Sequence, residues 1–131
     1  MESKKNILDF KEKEEEFDSE HGELITEIVS PFLENITKEN RREYNPKFYK
    51  LSGYQKILVD SLIVKALFYG EPGSFKKESV NPKDISKNKD LKVSLDVAKK
   101  VFNRELKKIF EKANEGYIIP NHRIKKAKEY L

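Results

Sequence analysis

The fold turns on the stretch SLDVAKKVFNRELKKIFEKANEG, residues 94–116. Ser94 is an N-cap by type, with a hydroxyl suited to hold an otherwise free amide of the first helical turn. Asp96 falls in that first turn, where the positive end of the helix dipole favours a carboxylate. Ala98, Val101, Phe102, Leu106, Ile109, Phe110 and Ala113 follow at helical spacing, the stripe of an amphipathic helix. Asn114-Glu115-Gly116 breaks the pattern. The spacing therefore predicts one long helix over residues 94–113. The face left outside the stripe carries Lys99, Lys100, Asn103, Arg104, Lys107 and Lys108. In a continuous helix Lys100, Asn103, Arg104 and Lys107 form a single ridge.

Working outward, Asn81-Pro82-Lys83-Asp84 reads as the start of a short helix over 82–88, with Asn81 as cap, Pro82 at the first position and Ile85 as its core residue. A polar link, roughly 89–93, joins it to the long helix. Upstream, Ser52 caps a helix running through Tyr69. Its apolar positions are so broad that it should be nearly enveloped. Gly70 is a stop residue, with Pro72 beyond. Downstream, Tyr117-Ile118-Ile119 reads as a short strand ended by Pro120. Asn121 is the expected cap of a last helical stretch to Leu131, whose inner face is Ile124, Ala127, Tyr130 and Leu131.

A long helix, a short helix, a second long helix and a strand is the order of a helix-turn-helix domain with a wing. Residues 52–131 resemble a winged-helix domain in element order, caps and apolar phase. The resemblance implies that helix 94–113 is the recognition helix and that its basic face enters a major groove. Two departures stand out. The 89–93 link is longer than a tight helix-turn-helix turn, and only 117–119 reads as wing strand, with Val80 its candidate partner. The expected fold is mainly α: a winged-helix-like domain with a short or vestigial β wing and an N-terminal helical extension.

In that extension, Leu24, Ile25, Ile28, Val29, Phe32, Leu33 and Ile36 recur at helical spacing over 23–38, with Pro31 marking a kink or a restart capped by Ser30. Residues 41–51 read as irregular, Asn45-Pro46 being a turn signal. Tyr44, Phe48 and Tyr49 are expected to pack rather than to form an aromatic-basic surface with Arg41, Arg42, Lys47 and Lys50. Residues 1–20 form a charged arm whose apolar anchors are Ile7, Leu8, Phe10 and Phe17. The organisation is thus an arm (1–20), an extension with a loop (21–51) and a helix-turn-helix body (52–131).

Charged residues make up 38% of the chain, against an ordinary quarter or so, and the net charge of +4 is unevenly spread. Residues 1–30 hold ten acids and four bases, whereas 31–131 hold thirteen acids and twenty-three bases. A basic body suits a polyanion. An amide such as Asn103 can pair with adenine and an arginine such as Arg104 with guanine, while lysines suit phosphates. Arg123, Lys125, Lys126 and Lys128 form a second basic group near the end of the chain. The expected partner is duplex DNA, with RNA as the other nucleic acid. The alternative is a protein-interaction adaptor or a small non-catalytic subunit, with a partner or a second copy docking on helix 23–38.

Catalytic chemistry has little to work with. Cysteine is absent, so thiol nucleophiles and cysteine-based zinc sites are excluded. His21 and His122 are read as solvent-facing, in no metal-ligand spacing. Asp60, Asp84, Asp90 and Asp96 are scattered caps or surface residues, and the five glycines build no phosphate-cradling loop. We expect no enzyme activity, no cofactor and no metal. No apolar stretch approaches the ~18 residues of a membrane span. No leader-like segment is visible, so a cytoplasmic location is expected.

Overall fold

The computed structural model describes residues 16–70 and 75–131, and the expected anchors Ile7, Leu8 and Phe10 lie outside that range. The described part is mainly α-helical with two small antiparallel sheets.

Helix α1 spans Ser19–Val29 and starts earlier than the apolar pattern suggested. The Asp18 carboxylate accepts from the His21 N–H at 3.1 Å, and His21 Nδ1 accepts from the Asp18 N–H at 3.2 Å. This reciprocal capping box adds a turn before the stripe begins. It also corrects the reading of His21 as solvent-facing, since its ring is buried, whereas His122 is exposed. The hydrogen bond from the His21 amide holds the Asp18 carboxyl below its ordinary value.

The helix expected over 23–38 ends at Val29. Pro31 sits at the start of a 3-10 turn, Ser30–Phe32, after which strand β1 (Leu33–Ile36) pairs with β2 (Arg42–Tyr44). Leu33 and Ile36, three residues apart, mimic a helical repeat. The pairing of Leu33 with Tyr44 and Ile36 with Arg42, with an irregularity between, gives them a strand's role instead. The connecting turn places Asn40 at φ 64°, which asparagine tolerates better than most residues. Residues 41–51 are therefore more ordered than expected. Asn45 caps a one-turn helix α2, Pro46–Tyr49, by accepting from Lys47 and Phe48. Tyr44 and Phe48 stack at 3.6 Å inside the core, as the packing reading requires.

Helix α3, Gly53–Gly70, runs through the middle of the fold, and every residue from Lys56 to Lys65 is buried. Gln55 Oε1 accepts from both the N–H and the hydroxyl of Ser52, so Ser52 organises the helix start through Gln55. Helix α1 packs along α3 through Ile25, Ile28 and Val29.

Helix α4, Pro82–Lys87, is capped by Asn81 as expected, and Ile85 is buried. The link after it is less polar than its sequence suggested. Leu91 and Val93 are both buried, and Lys92 between them adopts φ 52°. Helix α5 is Leu95–Val101, followed by consecutive turns and then strand β3, Glu111–Ala113. The single helix over 94–113 is thus replaced by a short helix, turns and a strand.

β3 pairs with β4, Gly116–Ile118, and Tyr117 exchanges two backbone hydrogen bonds with Val80, at 2.7 and 2.8 Å. The approach is close: a Cβ on Gly116, whose φ is +153°, would lie 2.3 Å from the Val80 carbonyl oxygen. The chain ends in a 3-10 turn Asn121–Arg123, a helical turn α6 (Ile124–Ala127) and a second 3-10 turn to Tyr130. Asn121 is buried and stands as the first residue of the 3-10 turn, with Pro120 at the cap position where Asn121 was expected. Gln55 donates to the Tyr130 carbonyl at 2.9 Å, tying this end to α3.

Candidate nucleic-acid interface

The orientation of α5 is fixed from its first turn. Ser94 Oγ accepts from the Val97 amide at 3.2 Å, and Asp96 occupies the first turn. Ala98 and Val101 are buried, so Lys99 and Lys100 point outward in the last turn, where cations suit the helix dipole. The interior of the following turns explains why the helix stops. The Val101 carbonyl accepts from both Arg104 and Leu106, and Leu106 in turn accepts from Ile109 and Phe110. Leu106 and Ile109 reach complete burial by this route. Phe102 stacks on Tyr117 at 4.1 Å and meets Phe110 edge-on at 4.9 Å. Packing against the hairpin outweighs the local preference to continue a helix.

The whole predicted stripe is buried except Ala113, which is half-buried, and all six outer residues are exposed. Their arrangement differs from the expected one. Lys99 and Lys100 are on α5, whereas Asn103, Arg104, Lys107 and Lys108 lie on the turns. Lys100, Asn103, Arg104 and Lys107 therefore do not form a ridge of one helix. Asn103 also leans back on the Lys99 carbonyl, at 3.5 Å. Arg123 is half-buried and donates to the Phe110 carbonyl at 3.3 Å, which gives it a task in closing the turns. Lys125 and Lys126 are exposed on α6, opposite the buried Ile124 and Ala127. Among the described residues, none of the cations Lys99, Lys100, Arg104, Lys107, Lys108, Lys125 and Lys126 is in an ion pair; those formed are Arg42–Asp60, Lys65–Glu78, Lys128–Glu27 and, when His21 is protonated, His21–Asp18. The hairpin is less basic, with Glu111, Lys112 and Glu115 exposed.

Two features were missed from sequence. Leu95 and Val97 are exposed apolar residues on α5; their only signal was that they fall outside the stripe. The second is a polar clamp. Asp60 was read as a scattered or surface acid, but it is buried. Arg42 reaches it with Nε at 3.0 Å and Nη2 at 3.1 Å, and the Tyr44 hydroxyl donates to the same carboxylate. Arg42 Nη1 also donates to the Asn40 carbonyl at 3.1 Å. Burial opposes the Arg42 charge, but the Asp60 carboxylate more than compensates and raises its pKa. Burial first, and Asp60 second, push the Tyr44 phenol well above its ordinary value, so it stays a donor. A second ion pair, between the buried Lys65 and the half-buried Glu78, joins α3 to the segment before Val80, with Lys65 beneath the rings of Phe17 and Tyr69.

No group of histidine and acidic side chains able to hold a metal occurs among the described residues, and no helix among them is long and apolar enough to cross a membrane. No protein family, curated protein or solved structure matches the chain.

Proposed function

We propose that this chain is a non-catalytic nucleic-acid-binding module that engages duplex DNA through α5 and the turns after it. The carrying observation is that Lys99, Lys100, Arg104, Lys107 and Lys108 are exposed and outside every ion pair of the described residues, on one short segment. The element order supports the reading. Helix α3, a bridged residue at Val80, helix α4, helix α5 and the β3–β4 hairpin come in the order that the winged-helix resemblance implies. In that plan the third helix meets the major groove, its lysines hold phosphates, and Asn103 and Arg104 offer base contacts. Lys125 and Lys126 would touch flanking phosphate. The hairpin, with Glu111 and Glu115, is poorly suited to enter a minor groove.

The test is fluorescence-anisotropy binding to a random duplex across salt concentrations, with wild type beside Lys100→Ala/Arg104→Ala/Lys107→Ala. Each phosphate contact contributes about 0.9 to the salt slope, so the variant should bind more weakly and its slope should fall by about 2 to 3. No binding at ~50 mM salt, a condition that favours such contacts, removes the reading. Tighter binding to a single-stranded or duplex RNA of the same length would transfer the surface to RNA.

A second reading has one observation of its own. An apolar groove of about 290 Å³ runs between α1, β1 and α3, lined by Ile25, Val29, Leu33, Ile36, Ile63 and Leu67. It would receive an apolar segment of a partner protein or of a second copy, and it replaces the docking helix expected over 23–38. A concentration-dependent mass by light scattering, lost in Leu67→Glu, would favour that role.

A further inference from the structure

A cavity of about 290 Å³ lies where strand β2, helix α3, the segment 75–80 and helix α4 meet. Val64, Phe75, Val80, Ile85 and Leu91 supply its apolar lining. The segment 75–80 is held from outside the cavity, by the Lys65–Glu78 pair and by the bridge from Val80 to Tyr117. The walls therefore do not rely on a ligand to order them, which spares a ligand that cost.

The polar lining is unevenly used. Arg42 carries five N–H donors. Three are taken, those of Nε and Nη2 by Asp60 and one of Nη1 by the Asn40 carbonyl. One N–H on each of Nη1 and Nη2 is left without an acceptor among the described residues. Lys76 and Lys77 line the same cavity and are in no ion pair among the described residues. Asn88 accepts from the Asp90 N–H through Oδ1, which leaves its amide hydrogens to donate. Acceptors are scarcer. Of the two lining carboxylates, Asp60 is committed to Arg42 and Tyr44, and Asp84 stands at the exposed first turn of α4. The open capacity is thus donor-rich and cationic, beside an apolar wall.

We propose that this cavity binds a small aromatic carboxylate, its carboxylate on the open N–H groups of Arg42 and its ring against Phe75 and the apolar wall. A guanidinium matches a carboxylate with two N–H groups to two oxygens in one plane. Arg42 Cζ lies over the Phe75 ring, 5.8 Å from its centroid, so an aromatic surface already stands beside the guanidinium where the ligand's ring would lie. Lys76 and Lys77 add charge of the right sign. A bare inorganic anion would leave the apolar wall facing water. The volume is at the small end for ligand pockets and suits a single ring. The site is separate from α5 and does not rest on the DNA reading.

The probe is benzoate, with benzamide as a neutral counterpart of the same shape, titrated into the full chain and followed by heteronuclear NMR. Benzoate should shift the Arg42 Nε–H and the amides of residues 75–80 and α4 saturably. Benzamide should bind at least about tenfold more weakly, the loss expected for hydrogen bonds to a charged group. Ser79→Trp, which sets a large ring at a lining position, should abolish the shifts. Arg42→Lys, which keeps a charge for Asp60 but lacks the fork, should weaken benzoate by a similar factor. The amide spectrum of each variant reports whether it is folded; if Arg42→Lys is not, Ser79→Trp and the benzamide comparison still decide. No saturable shift by ~10 mM benzoate overturns the proposal, since a charged fork and a buried ring should exceed that affinity. Equal binding of benzoate and benzamide overturns it by removing the carboxylate's role. Shifts that survive in a folded Ser79→Trp place the ligand elsewhere and overturn it as well.

Discussion

Replacing Asp60 with alanine tests the clamp that joins the N-terminal hairpin to the central helix. Asp60 comes from α3, Arg42 and Tyr44 from β2, and the side chains of Asp60 and Arg42 are only 10% and 17% exposed. The substitution removes the acceptor of two guanidinium bonds and one phenol bond at once. Deleting one member of a buried pair costs about 3–5 kcal/mol, because the surviving charge is left without compensation. Arg42 keeps its bond to the Asn40 carbonyl and some contact with water, which favours the lower figure. Stranding the Tyr44 hydroxyl adds about 1 kcal/mol. The expected loss is therefore about 4 kcal/mol, a large share of the ~5–15 kcal/mol that holds a typical domain together. For a domain of this size it corresponds to a fall in Tm on the order of 15 °C. Urea denaturation followed by circular dichroism measures the loss directly. An apolar replacement of the whole cluster, Arg42→Met/Asp60→Leu/Tyr44→Phe, should recover most of it, since no charge is then left buried. The reasoning is refuted if Asp60→Ala lies within about 1 kcal/mol of wild type, or if the triple variant is as unstable as the summed single ones.

Two further perturbations probe other joints of the fold. Gly116→Ala should cost about 2 kcal/mol, because its Cβ would meet the Val80 carbonyl and φ +153° disfavours an L side chain; hydrogen exchange at the Val80 and Tyr117 amides should speed up, and unchanged exchange would show that the hairpin yields easily. The raised Tyr44 pKa predicts falling stability above pH 10, the phenol's ordinary value. There the unfolded chain loses a proton that the folded chain keeps, so the slope is negative, about 1.4 kcal/mol per pH unit. Tyr44→Phe should flatten that limb in denaturation measured from pH 9 to 11, and an unaltered limb would show that other groups cause it.

Much of the body could be read from its residues, because the signals there were local and agreed with one another. Asn81 and Ser94 act as caps where their types and the following pattern placed them. The buried run of α3 follows from apolar residues on nearly all its faces. The pairing of Val80 with Tyr117 was legible because residues 117–119 read as a strand and Val80 was its candidate partner. Elsewhere the local pattern favoured one structure and distant contacts selected another. Residues 102–109 keep helical spacing, but stacking of Phe102 on Tyr117 and the depth of Leu106 and Ile109 draw the chain into turns. The LENI segment of β1 fits helix or strand equally, and its partner lies beyond a turn that no spacing rule identifies. Asp60 was illegible for a different reason: an acid on an apolar helix has no local mark of its partner, and Arg42 is eighteen residues away.

In a chain with twenty-three lysines some face will be basic by chance, so the number of exposed cations says little about function. Their division is more informative. Most cations that the fold uses are committed to shielded acids or to carbonyls, Arg42 to Asp60, Lys65 to Glu78 and Arg123 to the Phe110 carbonyl, while Lys128 reaches the exposed Glu27. Each of these joins segments distant in sequence. Among the described residues the cations of α5 and its turns form no ion pair, although exposed acids such as Asp96 and Glu105 are close in sequence. Leu95 and Val97, 39% and 47% exposed, lie on the same stretch. Uncommitted cations beside exposed apolar side chains, on the first regular turns after a buried and strained link at Leu91–Val93, are an arrangement that an external surface would complete. The groove between α1 and α3 is lined by no cation and carries Glu34 instead, and the outer face of α6 lacks the apolar residues. That combination makes α5, rather than the total basicity of the chain, the element on which the functional reading depends.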